Sequence, residues 1–250
     1  MARFSHGSLE LAYLDQGEGD PILLVHGFAS TKEVNWVQPG WFATLTGAGR
    51  RVIALDNRGH GESGKLYDPS EYHTTRMAED LRALMDHLRI ERADVMGYSM
   101  GARITAFLAH RHPERTRAIV LGGLGMHLVD GVGLPESIAE ALEAPSLADV
   151  TDAQGHMFRA FADQTKSDRR ALAACIRGSR QTLSRAEVAA IQVSTLVAVG
   201  TKDPIAGSAE ELATLMPRAR PLPIPHRDHM LAVGDKVFKV GVLRFLQERP

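Results

Sequence analysis

One serine in this sequence is flanked by glycines in a pattern that suits an activated nucleophile. Gly97-Tyr-Ser99-Met-Gly101 reads G-x-S-x-G and lies between a short apolar run, 93–96, and a segment with helical periodicity, 102–110. A serine on a tight strand-to-helix turn has a strained backbone, and a glycine on either side leaves room for the neighbouring chain. Such a turn lifts the hydroxyl above the sheet, where a base can reach it. The context therefore predicts that Ser99 is a nucleophile.

A serine hydroxyl is a poor nucleophile near neutral pH, so it needs a base that is itself oriented by an acid. Asp203 follows a predicted strand at 196–199, and His229 follows the last predicted strand, 220–224. Catalytic groups of open α/β sheets gather at the carboxyl ends of strands. The chain order Ser99, Asp203, His229 is the order expected of a hydrolase with a G-x-S-x-G turn.

Neighbouring groups offer alternatives for the base and the acid. His226 could be the base because it is three residues nearer the strand, although the reach of the loop favours His229. Asp228 could orient a histidine, but an adjacent residue does not readily reach the ring nitrogen distal to the serine, so we expect a solvated turn residue. Asp56 also ends a strand and could serve as the acid. We expect His26 to brace its loop through a hydrogen bond, and His60 to do likewise.

Composition limits the classes of function. The chain has 250 residues, is 44% hydrophobic and 24% charged, and carries a formal net charge of −1, which favours neither nucleic acid nor an anionic membrane as partner. The N-terminus lacks an apolar signal region and no apolar run approaches a membrane span, so we expect a cytoplasmic protein. Cys175 is the single cysteine and excludes an internal disulfide. The histidines have no metal-binding spacing, so we expect no metal and no cofactor.

Apolar runs alternate with amphipathic segments, which predicts an α/β fold with a mostly parallel, doubly wound sheet flanked by helices. Examples are the continuous apolar run at 21–25, the helical stripe at 75–88 and the closing helix at 236–246. The proline-rich run at 220–224 suits only a sheet edge. Between about 125 and 191 the pattern shows helix starts but no convincing strand. We therefore expect a core domain of residues 1–124 and 192–250 with a helical cap insertion at 125–191.

Helix starts within the predicted insertion have recognisable caps. Thr151 with Gln154, and Ser184 with Glu187, fit the capping box, and Asp168 fits a plainer N-cap. Pro135 suits the first turn of a helix. The insertion is entered through a stretch rich in glycine, namely Gly122, Gly123, Gly125, Gly131 and Gly133.

Several motifs together resemble the α/β-hydrolase fold family, in its small, capped serine esterase type. They span nearly the whole chain in the family's order: His26-Gly27-Phe28, the segment 56–63 (DNRGHGES), the G-x-S-x-G turn, Gly200-Thr-Lys-Asp203-Pro and His229. The resemblance implies a Ser99, His229 and Asp203 triad, with an oxyanion hole formed by the backbone amides of Phe28 and Met100. It also implies that Asp56 belongs to a structural turn. Family members usually carry glycine immediately before the histidine, where this chain has Asp228.

The substrate is predicted only in outline: a small-molecule ester, or a related acyl compound, with a small or medium apolar acyl group. Candidate pocket residues are large and apolar, although at helical spacing such residues more often belong to a core: Trp36, Trp41, Met157, Phe158 and Phe161. We expect Arg103, four residues past Ser99, to be a surface or salt-bridge residue of its helix. Relatives on this scaffold cleave lactones, amides or C–C bonds, or form peracids without a cofactor. Acyl transfer to another acceptor, or ligand binding without turnover, are further alternatives, whereas epoxide hydrolases and dehalogenases carry aspartate at the position of Ser99.

Overall fold

The strands pair into one mixed sheet that is parallel except at its beginning. The computed structural model describes residues 2–131 and 136–248, and its eight described strands have the order β1-β2-β4-β3-β5-β6-β7-β8. β2 pairs antiparallel with β1 and β4, and the remaining pairs are parallel. The strands are β1 (Ala2–His6), β2 (Leu9–Gln16), β3 (Asp20–Val25), β4 (Arg50–Leu55), β5 (Ala93–Tyr98), β6 (Thr116–Gly122), β7 (Ser194–Gly200) and β8 (Ala219–Ile224).

Helices cover both faces of this sheet, which confirms the doubly wound α/β prediction. The described helices are α1 (Trp41–Thr46), α2 (Thr74–His87), α3 (Met100–Arg111), α4 (His127–Asp130), α5 (Ser137–Glu143), α6 (Ala153–Gln164), α7 (Arg169–Gly178), α8 (Arg185–Ala189), α9 (Ala209–Leu215) and α10 (Lys236–Glu248). One apolar cluster joins the sheet to α2, α3 and α9. A second joins the opposite face to α1 and α10.

The central strand β3 shows why the sequence dictates two layers of helices. Leu23 and Val25 are buried in the cluster with α2 and α3, whereas Ile22 and Leu24 are buried in the cluster with α1 and α10. Successive side chains of a strand point to opposite faces. A continuous apolar run is therefore stable only when both faces are covered, as they are here.

Between β6 and β7, the described residues 125–131 and 136–191 contain α4 to α8 and no strand. The apolar sides of α5, α6 and α7 form a third cluster with Phe28 and Ala29 of the loop after β3, and with Tyr72 of a 3₁₀ turn between β4 and α2. The helical segment thus packs over the carboxyl ends of the strands. The division of the chain into a core domain and a cap insertion remains a prediction.

The caps within this segment differ in part from the sequence prediction. The capping box of Ser184 and Glu187 is present, and the Asp168 side chain accepts a hydrogen bond from Ala171 N–H, so both predictions are confirmed. Thr151 was the wrong residue, because the Asp152 carboxylate accepts the Gly155 N–H and caps α6 one position later. A carboxylate also suits the positive end of a helix dipole.

The predicted helix start at Pro135 lies outside the described residues, as does Gly133 of the glycine-rich stretch. No helix in the ranges 2–131 and 136–248 is both long enough and apolar enough to cross a membrane.

The last strand lies at the edge of the sheet, as its prolines predict. β8 pairs with β7 on one side, with Pro221 opposite Val197 and Pro223 opposite Val199. The Ile224 carbonyl accepts a hydrogen bond from Thr201 N–H, so the backbone N–H and C=O groups of even-numbered residues in β8 point toward β7. Backbone groups alternate along a parallel strand. The two prolines therefore lie with their nitrogens toward the open edge, where no ladder bond is lost.

Candidate active site

The turn between β5 and α3 places Ser99 in a strained conformation. Ser99 has φ of 54°, a value in the left-handed region that side chains other than glycine rarely adopt. A Cβ atom at Gly97 would overlap the backbone of Gly101, and one at Gly101 would overlap the carbonyl of Val25. Both glycines are therefore required by the close approach of helix and strands. The result is a hydroxyl held at the carboxyl end of the sheet.

The side chains of Ser99, His229 and Asp203 form one continuous hydrogen-bonded chain. His229 Nε2 lies 2.9 Å from Ser99 Oγ, and His229 Nδ1 lies 2.7 Å from Asp203 Oδ2. The Asp203 side chain is fully buried and its Oδ1 accepts hydrogen bonds from the backbone N–H groups of Ile205 and Ala206. These bonds fix the carboxylate, which in turn fixes the imidazole. The three residues come from loops that follow β5, β7 and β8.

The competing candidates lie elsewhere in the loop after β8. His226 is exposed, has φ of 61° and uses its backbone N–H to bind Thr201 Oγ1. Asp228 Oδ1 accepts the N–H groups of Met230 and Leu231, which makes it a turn residue, as expected. Of the two histidines, His229 is the one that contacts Ser99.

The two residues predicted to supply oxyanion amides lie beside Ser99. Met100 is the first residue of α3, and the first N–H groups of a helix have no acceptor within the helix. Phe28 follows Gly27, whose backbone lies close to the turn that carries Ser99. A Cβ atom at Gly27 would be 3.5 Å from Ser99 Cβ. Gly27 N–H is held by Asn35 Oδ1 at 3.0 Å. Phe28 and Met100 also line a cavity that reaches Ser99.

A buried polar cluster braces the loop that carries Phe28. The Asp56 carboxylate contacts the Lys32 ammonium at 2.6 Å and accepts the backbone N–H groups of Lys32 and Glu62. Burial by itself raises the pKa of Asp56, but these charged and hydrogen-bonded partners outweigh it and leave the pKa below its usual value. Asp56 is therefore structural, because its carboxylate binds Lys32 and its own turn.

Two histidines complete this brace and stay neutral. His26 Nε2 accepts the Asn57 N–H at 3.0 Å, and its Nδ1 binds the Gly27 carbonyl at 2.7 Å. Full burial lowers the pKa of His26 and lowers that of His60 to about 3. His60 Nδ1 binds the Arg58 carbonyl at 2.9 Å. Both imidazole rings therefore fix the surrounding backbone through hydrogen bonds, as expected.

The larger cavity at the site encloses about 430 Å³ and opens beside Ser99 and His229. Phe158 and Phe161 of α6, two of the candidate pocket residues, line it together with Phe28. Further lining residues come from the segments after β3 and β8 and include Val34, Pro39, Met230, Leu231 and Val233.

Three predicted pocket residues lie elsewhere. Trp36 and Trp41 are fully buried and pack edge to face, with Trp41 also against Phe238 of α10. They belong to the core beneath the sheet, because both indole rings are large enough to fill the gap between α1, α10 and the strands. Met157 is 38% exposed on α6 and does not line either cavity at the site.

A second, smaller cavity of about 60 Å³ lies on another side of Ser99. It is lined by Ser99, Phe28, Met100, Arg103, His127 and Arg180, with smaller and aliphatic neighbours. The expectation that Arg103 is a surface residue was wrong: it is 8% exposed, and the helical segment after β6 covers it. Its Nη1 donates to the Gln181 carbonyl and its Nη2 to the His127 carbonyl.

Sequence reasoning also missed Tyr98, whose hydroxyl donates to the His229 carbonyl. Only sequence position could have indicated that Tyr98 and Arg103 lie at the site. Tyr98 immediately precedes Ser99, and Arg103 follows Ser99 by one helical turn. Among the described residues, no group of three or more His, Cys, Asp or Glu side chains is placed to hold a metal ion.

Comparison with known proteins identifies the family to which this fold belongs. The α/β-hydrolase fold family model matches residues 20–143, and the similar solved structures share the fold over nearly the whole chain. The chain therefore belongs to the α/β-hydrolase fold family, and most of the similar proteins are hydrolases.

Individual relatives cover the chain to different extents. A 2-hydroxymuconate semialdehyde hydrolase of Pseudomonas putida is 37% identical over 141 residues, which are 54% of this chain and 47% of that protein. The chain thus spans about half the length of such curated relatives. The structure of a hydrolase from Pseudomonas aeruginosa PA01 has a TM-score of 0.80 and 26% identity, and covers 98% of this chain and 97% of its own. The enol-lactonase of Burkholderia xenovorans LB400 has a TM-score of 0.81 and 24% identity over 99% of this chain and 100% of its own.

Proposed function

We propose that this protein is a serine hydrolase that cleaves carboxylic esters, with Ser99 as nucleophile, His229 as base and Asp203 as orienting acid. The observation that carries the proposal is the pair of contacts made by the His229 ring, 2.9 Å to Ser99 Oγ and 2.7 Å to Asp203 Oδ2. A serine, a histidine and a carboxylate in this arrangement are recognised by geometry and not by sequence position.

In the first half of the reaction, Ser99 Oγ attacks the ester carbonyl carbon while His229 Nε2 takes the hydroxyl proton. The Asp203 carboxylate holds Nδ1–H and stabilises the imidazolium that forms. The tetrahedral intermediate then collapses, the bond from carbon to the alkoxy oxygen breaks, and His229 returns the proton to the leaving alcohol. An acyl group remains bonded to Ser99 Oγ.

The oxyanion of the tetrahedral intermediate is assigned to the backbone N–H groups of Phe28 and Met100. Hydrogen bonds that strengthen as charge develops on the oxygen lower the barrier, whereas equal binding of substrate does not. Loss of one such donor typically costs about 2.7–4 kcal/mol. The buried Lys32 and Asp56 brace serves this role indirectly, because it fixes the loop that carries Phe28.

In the second half of the reaction, water replaces the alcohol. His229 takes a proton from that water as its oxygen attacks the acyl carbon. The bond from this carbon to Ser99 Oγ then breaks, His229 returns the proton to Ser99 Oγ, and a carboxylic acid is released. No cofactor takes part in either half. The chemistry is the same for a linear ester and for a lactone, in which the leaving alcohol stays attached to the acyl chain.

The two cavities suggest where the parts of the substrate lie. His229 must reach the leaving oxygen, and it lines the larger cavity but not the smaller one. We therefore place the leaving alcohol in the larger, mainly apolar cavity beside Phe158 and Phe161. We further propose that the helical segment of the described residues 125–131 and 136–191 acts as a cap, since it contributes lining residues to both cavities.

The test is a panel of 4-nitrophenyl esters of increasing acyl length, run beside lactones and a thioester. The expected result is ester cleavage by the wild type and loss of cleavage in Ser99→Ala, with a fluorophosphonate probe labelling only the wild type. A Ser99→Ala protein that still turns over esters, or a wild type whose Ser99 stays unlabelled, would contradict the proposal. The second outcome together with tight ester binding would indicate a ligand-binding protein without turnover.

A further inference from the structure

The smaller cavity beside Ser99 contains a cation that no acid neutralises within the described part of the chain. Arg103 is 8% exposed, and its described hydrogen bonds go to two backbone carbonyls, those of Gln181 and His127. No ion pair joins Arg103 to a carboxylate in the described ranges, and no aspartate or glutamate is among the cavity's described lining residues. Burial lowers the pKa of Arg103 to about 10, and the nearby charge of Arg180 adds to this effect. The guanidinium therefore stays charged near neutral pH.

An unpaired buried charge is unfavourable, and proteins usually pair such a group or neutralise it. A guanidinium has five N–H donors, and the two bonds to backbone carbonyls use two of them. Three N–H donors therefore remain for a ligand, and a guanidinium commonly binds both oxygens of a carboxylate. Arg180, which is exposed, adds a second positive charge at the same cavity.

The position of Arg103 relative to Ser99 says which part of a substrate would meet it. Arg103 N–H bonds to the Ser99 carbonyl, so the two residues are one turn apart on the same side of α3. Long side chains on a helix point back toward its N-terminus, which brings the guanidinium toward the reacting serine. Since the leaving alcohol belongs in the cavity that His229 lines, the acyl chain extends into the cavity that Arg103 lines.

We propose that Arg103 and Arg180 form a carboxylate subsite, and that the preferred substrates are esters or lactones whose acyl chain ends in a second carboxylate a few carbons from the scissile carbonyl. This inference rests on the proposed function and specifies its substrate class. It replaces the expectation of a purely apolar acyl group, because the smaller cavity has a volume of only about 60 Å³ and is lined by two arginines.

The test compares two esters of matched length, mono-4-nitrophenyl succinate and 4-nitrophenyl butyrate, through the ratio of their kcat/KM values. Wild type is expected to favour the succinate. Arg103→Met should lower the ratio by roughly tenfold to a hundredfold, which is the effect expected from loss of a hydrogen-bonded charge. Arg180→Gln should lower it by a smaller factor of about three, because that side chain is exposed. Glutaryl and adipyl esters would then give the preferred spacing.

Arg185→Gln is the matched control, since it removes one positive charge from an exposed position on α8 that lines neither cavity. Its ratio should equal that of the wild type. A wild type that cleaves the butyrate at least as well as the succinate overturns the subsite and leaves the esterase proposal intact. An equal loss on both esters in Arg103→Met, with no change in Arg180→Gln, also overturns it and marks Arg103 as a structural tie. A wild type that cleaves neither ester overturns the proposed function itself.

Discussion

The Tyr98 hydroxyl donates a hydrogen bond of 2.6 Å to the backbone carbonyl of His229. The two rings also pack together, with centroids 5.5 Å apart. Burial raises the pKa of Tyr98 well above its usual value, so the phenol remains a neutral donor. The residue before the proposed nucleophile therefore holds the loop that carries the proposed base.

This contact predicts that Tyr98 is a positioning residue. Tyr98→Phe removes the hydroxyl and keeps the ring, so we expect kcat to fall by about tenfold with KM nearly unchanged, since a small misplacement of a catalytic group is costly. Steady-state kinetics on a 4-nitrophenyl ester would measure both constants. Tyr67→Phe is the control, because that exposed hydroxyl binds Asp168 away from the site. An unchanged kcat in Tyr98→Phe would show that the hydroxyl does not position His229.

The two histidines after β8 should differ sharply when each is replaced by alanine. His229→Ala removes the contacts to Ser99 and Asp203, and we expect kcat to fall by at least about a thousandfold. His226→Ala should change kcat by less than about threefold, because its side chain is exposed. Single-turnover measurements with an activated ester would compare the two. The reverse order of effects would reassign the base.

Buried His60 should make the protein less stable in acid. Its pKa is about 3 in the folded chain and near 6.5 when unfolded, so below pH 6.5 only the unfolded chain takes up the proton. The contribution of His60 to the free energy of unfolding should therefore be fully present above pH 6.5. It should fall by about 1.4 kcal/mol per pH unit from this residue as the pH drops toward 3. Urea denaturation at a series of pH values would measure the slope.

The control separates His60 from general acid effects. His60→Gln should give a shallower slope between pH 6 and 4, whereas His156→Gln, at an exposed position on α6, should keep the wild-type slope. Equal slopes in all three proteins would contradict the assignment.

The buried Lys32 should be important for stability. Lys32→Met leaves the Asp56 carboxylate buried without its ammonium partner, and we expect the free energy of unfolding to fall by about 3–5 kcal/mol. Lys236→Met, at the exposed start of α10, should change it by less than about 0.5 kcal/mol. Chemical denaturation of both variants would test this. A loss below about 1 kcal/mol for Lys32→Met would mean that the loop relaxes to hydrate Asp56.

Local sequence patterns predicted the sheet well because its strands are short, apolar and bounded by glycine or charged residues. β3 and β5 are examples in which burial on both faces leaves little ambiguity. The approach of Ser99, His229 and Asp203 was also predictable, because parallel strands bring their following loops to one edge.

The errors concern side chains whose surroundings come from distant segments. From its sequence, the helix that carries Arg103 was expected to have an exposed face. The helical segment after β6 covers Arg103 and supplies the two carbonyls that it binds. Trp36 and Trp41 follow the loop that carries Phe28, yet they turn beneath the sheet toward α10. Periodicity reports which face of an element is apolar and not which neighbour covers it.

The orientation of the two prolines in β8 bears on how copies of this chain can meet. The backbone nitrogens of Pro221 and Pro223 both point to the open edge of the sheet, and neither carries a proton. A strand that paired with this edge would therefore lack two of its hydrogen-bond donors. Addition of a further strand at this margin is thus disfavoured, because two of the amide donors that it would need are missing. Replacing both residues with valine would remove that safeguard.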